Sequence, residues 1–147
     1  MTPPAGRPHL SDALRAAYER AIYRVDASPA PFVLRVGEAS AELDRCLAAA
    51  GAVRCALLSA ANPGSSPLPE SENLRRHRRL VALVRRDGYR SLFGENFDEA
   101  TGGWREKSLL ILGISPDAAI TLAREFGQAA LLMAERGGAV RLLATPP

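Results

Sequence analysis

Seven polar residues stand where apolar runs of the sequence end: Asn62, Ser65, Glu72, Asn73, Glu106, Ser108 and Gln128. Glu106 offers a carboxyl that can serve as a general base or hold a cation. The amides of Asn62, Asn73 and Gln128 both donate and accept hydrogen bonds, so they can read the polar edge of a ligand. The run 62-NPGSS-66 adds two hydroxyls and a glycine that permits close backbone approach. A helix start just beyond it would contribute free N–H groups. Asn-Pro and Pro-Gly are also ordinary turn dipeptides, and spacing alone does not separate a turn from a ligand cradle. The same two readings hold for Glu106 with Ser108, as an acid at the mouth of a sheet or as a solvated strand end. Gln128 and Asn73 read either as ligand contacts or as amides that stitch loops together.

A second chemistry lies in charge. Residues 70–90 hold seven arginines against three acids, a net +4, while the whole chain carries only +3. Arg75, Arg76, Arg78 and Arg79 are the candidates for phosphate or nucleic-acid contact. No aromatic residue is interleaved with them, and single-stranded nucleic acid needs rings to stack on. The plain alternative is a solvated helix face.

The elements that must position these residues follow from periodicity and punctuation. Ser11 is a good N-cap, and Leu14, Tyr18, Ala21, Ile22 and Val25 recur at helical spacing. Residues 32–36 read as a strand, 39–50 as a helix stopped by Gly51, and 53–60 as a central strand covered on both faces. A helix over 70–86 carries Leu74, His77, Leu80, Val81 and Val84 on one side. Residues 89–93 form a plausible strand, 94–104 have the glycine content of an exposed loop, and 108–114 are a second central strand. Ser115 and Pro116 then start a helix that Gly127 ends, and 129–134 with 140–144 read as a terminal hairpin. Strands joined through helices suggest parallel pairs. The expected fold is α/β (mixed α+β), a single mixed β-sheet of about five to six strands flanked by helices.

Composition sets the outer limits. With 147 residues, 47% hydrophobic and 24% charged, the chain fits a loose arm over 1–10 and a single globular domain over 11–147. The apolar runs are too short for a membrane span, and the N-terminal segment lacks the pattern of a signal peptide, so a cytoplasmic location is expected. Cys46 and Cys55 read as reduced core residues, and neither they nor His9 and His77 have metal-ligand spacing. No pattern names a cofactor or an oligomeric state.

Taken in order, 23-YRV-25, 34-LRVG-37, 62-NPGS-65 with Glu72-Asn73, Trp104 with 106-EKSLLILGI-114, and 126-FGQAALL-132 resemble the bacterial domain of unknown function 3293 family. The resemblance runs from about residue 20 to about residue 143 and lies in the ordered set rather than in any one motif. The chain departs from that pattern at Ala61, where the family has tryptophan, at Lys107, where it has proline, and at Ala129, where it has asparagine. The resemblance implies a fold and a shared cluster, with no reaction attached. The Asn-Pro-Gly loop is also similar to the first motif of mismatch-specific uracil-DNA glycosylases, without their later His-bearing motif.

The expected function is binding of a small polar or phosphate-bearing ligand by the seven polar residues. The alternative from another class is a nucleic-acid or protein interaction module on helix 70–86. A glycosylase-like hydrolase is the remote one, and the polar set also fits a purely structural hydrogen-bond network.

Overall fold

The computed structural model describes residues 9–101 and 104–146, so most of the expected N-terminal arm lies outside the described residues. Helix α1 (Asp12–Arg20) starts where Ser11 accepts the Leu14 N–H at 3.1 Å. It stops at Ala21, before the point that the apolar spacing suggests. Ile22 and Val25 belong instead to strand β1 (Ile22–Val25), paired with β2 (Phe32–Leu34). The sequence Ile-Tyr-Arg-Val is rich in β-branched and aromatic side chains, and pairing on both edges outweighs the helical periodicity.

Helix α2 (Ala41–Ala49) is capped by the Ser40 hydroxyl and leads into β3 (Arg54–Leu58). After the Asn-Pro-Gly loop come α3 (Glu70–Arg86) and β4 (Arg90–Phe97). Strand β5 (Arg105–Leu112) and helix α4 (Pro116–Glu125) follow, the helix capped by Ser115 with Pro116 in its first turn. Strands β6 (Ala130–Glu135) and β7 (Arg141–Ala144) close the chain as the expected hairpin. The expected loop over 94–104 is mostly hairpin: β4 continues through Phe97 and β5 begins at Arg105.

The seven strands of the described residues lie in one sheet, in the order β2-β1-β4-β5-β3-β6-β7, and every neighbouring pair is antiparallel. The expected parallel pairs are absent among the described residues, for a topological reason. The crossover β3-α3-β4 does join strands of the same direction, but β5 lies between them. The crossover β5-α4-β6 in turn spans β3. Two interlocked βαβ units of this kind make the split βαβ, or ferredoxin-like, arrangement over residues 54–135. Strands β1 and β2 extend one edge of that unit, and β7 extends the other.

Alternation along the strands divides the core in two. One face carries Ala56, Leu58, Leu109, Ile111, Leu131 and Met133 against Leu80 and Val84 of α3 and Ala119 and Ala123 of α4. The other face carries Tyr23, Leu57, Leu110 and Leu132 against Tyr18 of α1 and Leu43 and Leu47 of α2. The result is three layers, with β3 and β5 buried on both sides as their apolar sequence suggests. Cys46 and Cys55 are free, and burial pushes the Cys55 thiol up to about 12. Among the described residues no helix is long and apolar enough to cross a membrane.

Candidate functional site

The polar residues gather at one end of the sheet, on the face covered by α1 and α2. Cross-strand register sets Tyr23, Asn96 and Glu106 side by side on β1, β4 and β5. Trp104, two residues before Glu106, packs on the same side of the sheet, and its indole and the Ser59 hydroxyl lie near enough to the Glu106 carboxylate to favour its charged form. The Asn62 side-chain Nδ2 donates to Glu106 Oε1 at 3.1 Å. Burial raises the pKa of Glu106, and the three donors oppose that rise without cancelling it. Burial, reinforced by the Glu106 charge, also raises the phenols of Tyr18 and Tyr23. The Tyr23 hydroxyl donates to the Tyr18 carbonyl at 2.6 Å.

Asn62 occupies the left-handed region, with φ 47° and ψ 65°, a conformation that asparagine tolerates better than most residues. Its backbone N–H donates to Asn73 Oδ1 at 2.9 Å, while its Oδ1 accepts from Leu68 N and from Asn73 Nδ2. Both lone pairs of that oxygen are thus engaged, so Asn62 does not have the free carbonyl that would position a water in a glycosylase-like site. The Asn-Pro-Gly turn is held against the next loop by Gly64 N–H donating to the Gly127 carbonyl at 2.8 Å. Gly127 has a φ of +67°, and a Cβ there would stand 2.9 Å from Pro63 Cβ, so glycine is required on both counts. Gln128 Nε2 donates to the carbonyls of Ala61 and Phe126.

A cleft of about 270 Å³ opens onto this network. Helix α1 supplies Leu14, Ala17 and Tyr18; the loops supply Asn62, Ser65, Asp98, Trp104 and Gln128; and β5 supplies Glu106. A wider trough of about 530 Å³ shares Asn62, Trp104 and Glu106 with it and continues past Asn73 to His77 and Lys107. Asn96 in the row and Ser108 beside it are buried, and Asn96 Oδ1 and Ser108 Oγ have no hydrogen-bond partner among the described residues. Among the described residues no group of three His, Cys, Asp or Glu comes together as a metal-binding set.

The fold therefore brings together Asn62, Ser65, Glu106 and Gln128 of the seven sequence candidates. Asn73 acts on the cleft through Asn62. Glu72 is ion-paired with Arg75 on the outside of α3, and Ser108 lies one step deeper in the core, outside the cleft lining. Of the four arginines, Arg76 is a structural clamp, donating from Nε to the Ala60 carbonyl and from Nη2 to the Phe126 carbonyl. Arg79 pairs with Glu125 at 2.7 Å and lies over the Phe126 ring. Tyr18, Tyr23, Ser59, Asn96 and Asp98 escaped the sequence reading. Tyr18 fits an apolar stripe, Tyr23 stands in the sequence only as part of the family-like run 23-YRV-25, and Asn96 becomes visible only once the β4–β5 register places it opposite Glu106.

Topology and site together define a small split βαβ protein with an enlarged antiparallel sheet and a buried acid facing a polar cleft. The family model described as "Protein of unknown function (DUF3293)" matches residues 58–131, half of the chain, and the chain belongs to that family. The matched segment runs from the end of β3 to the start of β6, so it contains the Asn-Pro-Gly loop, Glu106 and Gln128. No curated protein and no solved structure matches the chain.

Proposed function

We propose that the chain binds a small polar ligand in the cleft around Glu106, and that the ligand presents N–H donors or a cationic nitrogen. One observation carries this reading: Glu106 and Asp98 both line the cleft, and no lysine, arginine or histidine is among its described lining residues. Two carboxyls repel a phosphate, whereas a carboxylate beside the Tyr18 and Trp104 rings suits an amine, an amidine or the donor edge of a heterocycle. This supports the polar rather than the phosphate-bearing half of the sequence expectation. Burial raises the Glu106 carboxyl above its ordinary value, which makes it the cleft's candidate for proton exchange with a ligand.

The test is a thermal-shift panel of small amines, amides, nucleobases and phosphate esters. A donor-bearing ligand near 100 Kd adds about 2.7 kcal/mol, a rise in Tm of roughly 5–10 °C for a domain of this size. Glu106→Gln is expected to abolish that rise. An equal response in the variant, or a response confined to the phosphate esters, would reject the reading.

Without ligand, Glu106→Gln has a pH signature. The folded state raises the Glu106 pKa above the ordinary 4.5, so the wild-type chain is most favoured with this group protonated. That advantage is fully present below the unfolded value and is lost as pH rises through the folded one. Relative to wild type, the glutamine variant is expected to gain Tm at pH 7 and to lose that gain as pH falls toward 4.5. A constant difference across that range, read by thermal melts, would show that burial of the charge is not the cause.

A further inference from the structure

We propose that the groove between α3 and β4, on the face of the sheet opposite Glu106, binds single-stranded nucleic acid. The groove measures about 440 Å³ and combines an aromatic floor with a basic rim. Phe93 is 50% exposed on β4, so its ring is open to a ligand in the groove. The His77 ring lies beside it, with centroids 6.0 Å apart, and is itself only 8% exposed, with Nδ1 lacking a hydrogen-bond partner among the described residues. Burial and the neighbouring Lys107 lower the His77 pKa, which favours a neutral imidazole packed beside Phe93.

Three cations border these rings: Arg78 and Arg85 from α3 and Lys107 from β5, with no carboxylate among the described lining residues. None of the three is ion-paired among the described residues, whereas Arg75, Arg79 and Arg86 are each paired with an acid. Arg78 and Arg85 are seven residues apart on one helix, about 10 Å along its axis. One phosphate cannot meet both; successive phosphates of an extended strand can. The ring that the Arg-rich helix lacks in sequence is thus supplied in space by the neighbouring strand. Unpaired bases have free faces to stack on Phe93, and a duplex does not. An acidic peptide would meet the cations but make no use of the ring.

The experiment is fluorescence anisotropy of the full chain with a labelled oligothymidylate of about 12 nucleotides, alongside a duplex of equal length and a poly-glutamate peptide. Single-strand binding is expected to weaken roughly 20-fold between about 50 and 200 mM salt, as three cations at ~0.7 counterions each require. Arg78→Gln with Arg85→Gln should flatten that dependence. Phe93→Leu, which keeps apolar volume but removes the ring, should weaken binding about tenfold with the salt slope unchanged. The proposal is overturned if the oligonucleotide does not bind, if duplex or poly-glutamate binds as tightly, or if Phe93→Leu has no effect while its circular dichroism matches wild type. Failure here leaves the Glu106 cleft standing, since the small-ligand panel reads that cleft independently.

Discussion

Replacing Gly94 by alanine is expected to destabilise the protein by about 3 kcal/mol, the upper end of the usual cost of overpacking. A Cβ at this position would stand 2.2 Å from the Arg24 carbonyl oxygen and 2.9 Å from Ser108 Oγ. The first contact is with backbone, so no rotamer change relieves it. Strand β1 must draw away from β4, and β2, which pairs with β1 alone, moves with it. The damage also reaches the site, because Asn96 and Glu106 stand two residues further along the same hairpin. Urea titration should give the loss of stability, and hydrogen exchange should show amides of β1 and β2 exposed before those of β3 and β5. Unchanged stability would mean that the sheet edge yields more easily than its geometry implies.

Arg76→Met is expected to cost about 3–5 kcal/mol, since hydrogen bonds to a charged donor contribute roughly 1.5–3 kcal/mol each. The guanidinium ties α3 to both loops of the site, through the Ala60 and Phe126 carbonyls, and burial lowers its pKa. Methionine keeps much of the apolar stem but leaves the Ala60 carbonyl unpaired and the Phe126 carbonyl with the Gln128 amide alone. Arg76→Lys should recover less than half, because an ammonium cannot span two carbonyls with a fixed fork. Arg78→Met, two positions along and exposed, should stay within about 0.5 kcal/mol of wild type. Equal urea midpoints for the two methionine variants would remove the clamp from the account.

Local signals in the sequence are reliable where chemistry is local. Ser11 and Ser115 cap the helices they precede, α3 spans the expected residues, and the terminal hairpin forms. Strand insertion is not local. A helix between two strands implies a crossover, but nothing in residues 54–97 says that β5 will fill the gap it leaves. The strand over 94–97 was hidden for a related reason. Gly94, Glu95 and Asn96 look like loop residues, yet each answers to a neighbour across the sheet: Gly94 to the Arg24 carbonyl, Glu95 to Arg105, and Asn96 to Glu106.

The candidate site was legible to the same depth. Asn62, Glu106 and Gln128 were recognisable as polar interruptions of apolar segments, and they do converge. Their division of labour required geometry, because an amide that stitches loops and an amide that faces a cleft look alike in sequence. Arg76 is the sharpest case, since its place in an Arg-rich run suggests a solvated or phosphate-binding side chain and its bonds make it part of the frame.

Glu106 and Lys107 are consecutive, yet strand alternation sends them to opposite layers, the acid toward α1 and the cation toward α3. The carboxyl-lined cleft and the cation-lined groove thus take adjacent residues of β5 from opposite faces of the sheet, and the trough past Asn73 runs between them at the sheet's end. A slip of one position would exchange their charges, placing an ammonium among the carboxyls and a carboxylate among the arginines. Pairing β5 correctly against β4 is thus a chemical sorting step: one alignment of two strands decides which side of the sheet receives the acid and which the cation.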